Sequence, residues 1–419
     1  MADTITPLHA DARPALLFHC QHSLGIGHLT RSFALAAALA PRFRVVFLNG
    51  GKLPPGVPVP AGIELVDLPP LGMDDGHTVV SRDGADLGAA QAGRRALIED
   101  AVRRHRPAVV LVELFPFGRK KFTGELLGLI RAARRRPGGP ALVACSLRDI
   151  LVDARRDQQR HDDRARWLAD RYFDIVLVHS DPAFARLEDS FRPRRPLAVP
   201  VRYTGYVVPA RERAADAPRG AHLLVSAGGG MVGEPLLAAV LRARPLMRAP
   251  VPMRLVAGPF LPEPAWQALR QAAAADPAVE LVRHVPDMVA EMRAARASVS
   301  QCGYNTALDL VVSGVPALVV PYGRPDENEQ SGRAAKLAAL GALQALPEPA
   351  LADPARVAAA LDALLAFRPR AAALDLHGAR RSAEHLAQRL AEHLAQRLAE
   401  HRDGRQAARA APVPQRDAA

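Results

Sequence analysis

Aromatic residues make up only 5% of this 419-residue chain, Lys supplies four of its 55 basic residues (Lys52, Lys120, Lys121 and Lys336), and there are three Cys. Cys20, Cys145 and Cys302 stand far apart, each beside an expected strand. Neither a disulfide framework nor a metal-ligand spacing emerges, so a reducing cytosol is the expected setting. No apolar run approaches the roughly 20 residues that a membrane span needs. The N-terminus is polar and acidic ahead of Arg13, unlike a signal peptide. The chain is therefore expected to be cytoplasmic and soluble, or at most peripheral on the inner face of a membrane. The scarcity of Lys reads as genome composition and carries no function. No nucleic-acid-binding module is recognisable, and basic charge alone does not make one.

What is present is a hydrophobic fraction of 49% and a net charge of +12. The length suits two domains of ordinary size with large cores. The charge implies anionic partners: sugar nucleotides, acidic lipid head groups or nucleic acid. It is uneven. Residues 94–136 hold twelve basic residues against Glu99, Asp100, Glu113 and Glu125. A solvated helix face is the ordinary reason, and contact with an anionic membrane surface is the sharper one.

Along the chain, Ala15–Cys20 is an apolar strand of the buried parallel kind. It runs into a Gly25/Gly27 turn and a helix opening at His28, apolar at Leu29, Phe33, Leu35, Ala36 and Leu39. Strands follow at Arg44–Leu48, Ile63–Leu68, Val109–Leu114, Ala141–Ser146 and Ile175–His179, with helices at Ala89–Arg104 and Thr123–Arg135 among them. Alternating βα units point to a mostly parallel sheet. His28 would lie at the mouth of the cleft. An imidazole, with a pKa of about 6.5, can take a proton from an attacking hydroxyl or water, or it can simply cap the helix. His19, Cys20 and His22 do not converge as a metal site, because side chains alternate along a strand. Residues 72–88 form a polar loop, either a lid or plain surface, and its Asp74 and Asp75 lack the context of a metal site. Glu113, Arg148 and Asp149 end parallel strands and face the cleft. Glu113 could orient His28, bind acceptor, or pair with Arg119 or Lys120.

The polar stretch 205–220 precedes a new strand, Ala221–Val225, which runs into Gly228, Gly229 and Gly230, a second Gly loop suited to a diphosphate. The chain's most informative stretch is 300–334. A strand (Ala297–Ser300) meets a Gly303 turn, a helix ending at Gly314, a buried strand (Ala317–Val320), a polar loop and a helix from about Ser331. Gly303 permits close backbone approach. Asn305 and Thr306 sit at a helix start, where free N–H groups favour an anion. Asp309, one turn on, suits a sugar cis-diol, and Glu329 and Gln330 could bond the hydroxyls of a second ring.

These residues, Gln301-Cys302-Gly303-Tyr304-Asn305-Thr306, then Asp309, Gly314, Pro316, Pro321, Glu329, Gln330, Arg333 and Ala334, resemble the donor-binding signature of two-domain GT-B glycosyltransferases. The stretch is similar to the family 28 and UDP-glycosyltransferase group, which includes the lipid-linked peptidoglycan-precursor N-acetylglucosaminyltransferases. Gln301 stands where His is usual, Asp309 where Glu is usual, and Glu329 where Asp is usual. The Gly-x-Gly-His-x-x-Arg segment around His28 also resembles GT-B-like nucleotide-sugar hydrolases.

The resemblance implies an α/β fold of two doubly wound Rossmann-like domains facing a central cleft. Its segments are 1–13 (disordered lead), 14–204 (acceptor-side domain), 205–220 (linker), 221–370 (donor domain), 371–401 (C-terminal helix bracing the first domain) and 402–419 (disordered tail). It implies transfer of a sugar, with inversion, from a nucleotide-diphosphate sugar to a hydroxyl. His28 and Glu113 would be catalytic. The donor would contact Gly25, Gly27, Gly228, Gly229, Gly230, Val285, Gln301, Gly303, Asn305, Thr306, Asp309, Glu329 and Gln330, the base resting on backbone near Val285. No cofactor and no metal is implied; the donor, UDP-linked by analogy with the group, is a co-substrate. The acceptor is lipid-linked or small, nucleic acid is not a partner, and the chain is a monomer or dimer. A hydrolase using water, or a non-catalytic sugar-nucleotide binder, keeps the same cleft.

The tail repeats AEHLAQRL at 383–390 and 391–398. Eight residues advance about 80° around a helix, so the Leu pairs of the two copies cannot share one stripe.

Overall fold

The computed structural model describes residues 12–22, 27–54, 57–74, 78–153, 155–210, 219–323 and 328–410. The first sheet and its surroundings contain, in chain order, β1 (Ala15–Cys20), β2 (Arg44–Asn49), β3 (Ile63–Asp67), a separate hairpin of β4 (Leu71–Met73) and β5 (Val79–Ser81), then β6 (Val109–Glu113), β7 (Leu142–Arg148), β8 (Ile175–His179) and β9 (Val201–Tyr203). The sheet order is β3-β2-β1-β6-β7-β8-β9, every pair parallel. Helices α1 (Gly27–Leu39), α2 (Leu87–His105), α3 (Thr123–Arg134) and α4 (Gln158–Tyr172) make the crossovers.

The second sheet contains β10 (Leu223–Ser226), β11 (Met253–Val256), β12 (Val279–Val282), β13 (Ala297–Ser300), β14 (Ala317–Val319) and β15 (Gln344–Ala345). Its order is β12-β11-β10-β13-β14-β15, again parallel. Around it pack α5 (Glu234–Ala243), α6 (Glu263–Ala274), α7 (Met288–Ala294), α8 (Tyr304–Ser313), α9 (Glu329–Ala339) and α10 (Pro354–Ala366), and α11 (Gly378–Ala410) closes the chain.

Strand alternation builds a core on each face of the first sheet. Leu17, Val110 and Val112 enter one cluster with α2 and α3, while Leu16, Phe18 and Leu111 enter the other with α1 and α11. A parallel strand covered on both sides must be apolar at every position, and β1 and β6 are buried throughout. Local signals agree with the ends: Asp86 caps α2 through the Ala89 N–H at 2.9 Å, Asp287 caps α7, and α8 stops at Gly314, whose φ of +60° suits glycine.

The structure differs from expectation in places. Residues 72–88, read as loop, contribute the β4–β5 hairpin, and the Asp74 carboxylate accepts from the Thr78 N–H at 2.6 Å. Asp75 lies outside the described residues. Tyr206 and Val207, within the stretch read as linker, are buried at 1% exposure. The returning chain holds them: Tyr206 N–H donates to Asp375 at 2.7 Å and Val207 bridges to His377. The polar composition of 205–220 hid this two-residue anchor. α11 continues to Ala410. Its Ala383, Leu386 and Leu390 pack with Leu29 and Phe33 of α1, whereas Leu394 and Leu398, in the second repeat copy, are exposed. Among the described residues no helix is long and apolar enough to cross a membrane.

Candidate functional site at the facing strand ends

Each sheet reverses its strand order once, and such switch points open crevices at the carboxyl ends of strands. In the first sheet the reversal lies between β1 and β6, so His28, just inside α1, stands beside Glu113, the last residue of β6. In the second it lies between β10 and β13, flanked by the Gly228–Gly230 loop and the Gln301–Gly303 turn.

His28 and Glu113 are joined at 2.6 Å through Nδ1 and Oε1. Glu113 is fully enclosed, and Arg31, one turn along α1 from His28, donates to the same oxygen; Arg119 reaches the other at 3.3 Å. Leu114 follows in the left-handed region (φ +64°), an unfavourable conformation for Leu that turns the chain sharply behind the carboxylate. Burial pushes the Glu113 carboxyl up, but His28, Arg119 and Arg31 outweigh it and hold it well below its usual range. His28 is pushed down to about 3, first by burial and also by the two arginines, against the pull of Glu113. The imidazole is therefore neutral. With Nδ1–H donated to the carboxylate, Nε2 keeps its lone pair, the arrangement of a general base with an orienting acid.

Across from it, α8 starts at Gly303 with no side-chain cap, and a Cβ at Gly303 would meet nothing within 4 Å. The helix start thus keeps uncapped N–H groups beside open space. Gln330 accepts from the N–H groups of Cys302 (3.0 Å) and Tyr322 (3.2 Å), tying the two strand-end loops together. Gln301 donates to the Val232 carbonyl at 3.2 Å and joins that turn to the Gly-rich loop. Gly230 has φ +90°, and a Cβ there would lie 2.5 Å from the Ala257 carbonyl, so this glycine serves loop packing. Gly228 (φ +57°) faces open space. α5 opens only at Glu234, four residues after Gly230, rather than directly from the loop.

The two sides meet. Asn305 donates to the Gly27 carbonyl at 3.0 Å, next to His28. Glu329 pairs with Arg148, the last residue of β7. Arg333 forms a two-point pair with Asp149 at 3.0 and 2.8 Å. Tyr304 donates to the His179 carbonyl and accepts from the Val207 N–H, with Arg31 5.1 Å above its ring. Of the expected site residues, His28, Glu113, Gly27, Gln301, Gly303, Asn305, Glu329 and Gln330 are thus linked at the facing strand ends. Thr306 and Asp309 are half-buried on α8. Val285 lies before α7 and packs against that helix's core. Gly25 lies outside the described residues. His19 and His22 take separate partners, Glu125 and Asn49.

Residues 253–393 match the glycosyltransferase family 28 C-terminal domain. Solved structures extend the likeness over both sheets. The calicheamicin glycosyltransferase CalG4 is 19% identical with a TM-score of 0.53, covering 96% of this chain and 100% of that one. Phytolacca americana UGT2, complexed with UDP-2fluoro-glucose and pterostilbene, is 15% identical with a TM-score of 0.55, covering 90% and 94%. The chain has the GT-B fold of these structures, and its residues 253–393 are similar to the family 28 C-terminal domain. A curated relative, the UDP-N-acetylglucosamine–N-acetylmuramyl-(pentapeptide) pyrophosphoryl-undecaprenol N-acetylglucosamine transferase of Mesorhizobium japonicum (strain LMG 29417 / CECT 9101 / MAFF 303099), is 38% identical over 97 residues. That match spans 23% of this chain and about a quarter (26%) of the relative.

Sequence reasoning passed over Arg31 as a member of this site, although its i+3 spacing from His28 placed both on one helix face. The expected pairing of Glu113 with Arg119 is present, but Arg94 was counted within a surface run. Arg94 is fully buried, its Nε and Nη2 each 2.7 Å from Glu125, with further bonds to Gly50, Pro69 and Gln21. An Arg in a helix beside a second Arg, here Arg95, reads as solvated; the signal for burial lay only in Glu125 facing it from α3.

Proposed function

We propose that this protein is a glycosyltransferase, metal-independent, that moves a hexose from a nucleotide-diphosphate sugar to an acceptor hydroxyl with inversion. The observation that carries the reading is the His28–Glu113 pair facing the uncapped start of α8 inside the family 28 domain, with Asn305 bonded across to Gly27. The diphosphate lies on the N–H groups of α8, whose dipole and donors stabilise the charge that grows on the leaving group. His28 Nε2 takes the proton of the acceptor hydroxyl, and Glu113 balances the imidazolium that forms. The acceptor oxygen attacks the anomeric carbon from the side opposite the diphosphate, and the sugar inverts.

The UDP-linked donor and lipid-linked acceptor in the name of the Mesorhizobium relative make UDP the first nucleotide to try. A lipid acceptor fits a peripheral protein on the cytoplasmic face of the membrane, touching anionic lipid through residues 94–136. Arg95, Arg106, Lys120, Lys121, Arg131 and Arg135 are exposed there.

The test is a thermal-shift screen against UDP, GDP, dTDP and their sugar conjugates, followed by release of the diphosphate from the conjugate that binds. A ligand well above its Kd should stabilise by a few kcal/mol, on the order of 3 at a hundredfold excess. Release that needs an added hydroxyl compound supports transfer, and release without one makes water the acceptor. His28→Ala should bind nucleotide and lose turnover; full turnover would remove His28 as the base. Failure of every diphosphate to bind would remove the donor site.

A further inference from the structure

Arg148 ends β7 of the first sheet, and Glu329 opens α9 beside the second. Arg148 Nη1 donates to Glu329 Oε1 at 2.8 Å, and Nη2 pairs with the other oxygen. Their side chains are 14% and 16% exposed, so the pair is neither sealed in the core nor free in solvent. It is not needed to dock the sheets: the neighbouring Asp149–Arg333 pair, at 0% and 2% exposure, already joins the same two elements.

The position of the pair is informative. β7 lies directly beside β6, with Ser146 paired to Glu113, and Arg148 follows two residues on and reaches across to Glu329. Arg148 therefore stands between the strand that carries Glu113 and the donor-side loops. A group transferred from a diphosphate on α8 to an oxygen activated by His28 must pass through that space. Glu329 is braced there by its neighbour Gln330, which holds the Cys302 and Tyr322 amides. Arg148 Nε is shielded and has no hydrogen-bond partner among the described residues.

A sugar hydroxyl both donates and accepts. A carboxylate accepts only and a guanidinium donates only, so the two side by side offer complementary partners for neighbouring hydroxyls. We propose that Arg148 is a specificity-determining residue for the donor, reading with Glu329 two adjacent hydroxyls of a neutral hexose across the cleft. This rests on the donor site described under the proposed function. Because the two halves of the reader come from different sheets, recognition of the sugar and closure of the cleft are one event. The nucleoside diphosphate, held by the second sheet alone, does not depend on Arg148.

The experiment compares Kd values by calorimetry for the full chain with UDP and UDP-glucose. Wild type is expected to bind UDP-glucose more tightly than UDP. Arg148→Met should leave UDP within about twofold and weaken UDP-glucose by roughly ten- to a hundredfold, the loss of two bonds to a charged group. Arg148→Lys keeps the charge but not the fork, and should also lose most of the sugar's contribution; it serves if the Met variant does not fold. Equal weakening of both ligands would mark Arg148 as structural and overturn the proposal, as would an unchanged UDP-glucose Kd. Wild type binding neither ligand would overturn it together with the UDP donor site on which it rests.

Discussion

Replacing Asp149 by Asn tests how the two halves of the site are held in register. Arg333 is 2% exposed and Asp149 is 0% exposed, and two N–H···O bonds of 3.0 and 2.8 Å join them. Arg333 also donates to the Cys302 carbonyl at 2.9 Å. The Asn variant keeps the shape and leaves a buried guanidinium without its counter-charge, which costs about 3–5 kcal/mol. Against a typical total of roughly 5–15 kcal/mol, that is a large fraction. Arg333→Met should cost a similar amount by stranding the carboxylate. The double variant Asp149→Leu/Arg333→Met removes both charges, and should cost much less than the sum of the singles. What remains is mainly the Cys302 carbonyl bond, about 1 kcal/mol. The chain's two Trp residues report separately: Trp167 lies on α4 of the first sheet and Trp266 on α6 of the second. Urea unfolding of Trp167→Phe and Trp266→Phe backgrounds should give coincident transitions in the parent and separated ones after Asp149→Asn. Single costs below about 1 kcal/mol, or additive singles with coincident transitions, would refute the argument that this pair couples the sheets.

The remaining expectations use other parts of the molecule. Leu386→Ala should cost about 2–5 kcal/mol and its repeat counterpart Leu394→Ala about 0.5 or less, because one is buried on α1 and the other exposed; equal costs in denaturant titration would contradict the placement of α11. Burial raises the Glu125 carboxyl, but its bonds to Arg94 and His19 bring it down to about 2. A depressed carboxylate contributes stability above its unfolded pKa, so about 3 kcal/mol should disappear as pH falls from 4.5 toward 2, and Glu125→Gln should flatten that part of the stability–pH curve. His28, pushed down to about 3, is neutral throughout the ordinary assay range. A base works only when deprotonated, so kcat/KM should not fall between pH 7 and 5 on its account. Arg31→Met, removing a nearby cation, should move the acid limb upward; a limb near pH 6.5 in wild type would show an ordinary, unperturbed imidazole.

Much of this was legible in the sequence because buried parallel strands leave little choice of residue. Ala15–Cys20, Val109–Glu113 and Ile175–His179 are apolar runs with polar residues only where the chain meets the cleft, so their ends point to the site directly. The Gly303 turn and the Gly314 stop were equally plain, since each is a local backbone requirement. The hidden part is what depends on two distant segments meeting. Arg148 could be placed at a strand end facing the cleft, but nothing local names Glu329 as the residue it spans to. Tyr206 lies in a polar stretch, and its burial depends on Asp375 and Tyr304 arriving from the other end of the chain. The same limit applies to Arg94, whose partners lie on four other segments.

The charge of the cleft follows from those distant meetings and bears on the donor. Arg31, Arg119, Arg148 and Arg333 face Glu113, Glu329 and Asp149, and His28 is neutral. Four cations against three carboxylates leave one positive charge in excess, concentrated where Arg31 and Arg119 share Glu113. The Arg148–Glu329 and Arg333–Asp149 pairs are balanced in themselves. A diphosphate brings at least two negative charges, so arginines alone do not neutralise it. The start of α8, equivalent to roughly half a positive charge with its uncapped N–H groups, supplies part of the difference in the second sheet, while the excess near Glu113 draws from the first. An anion between them is attracted to both sheets at once, across the contact of Asn305 with Gly27. Removing Glu329's charge (Glu329→Gln) would add one positive charge to the cleft. It should therefore tighten binding of the bare diphosphate while loosening the grip on the sugar, opposite effects that a loss of folding could not produce.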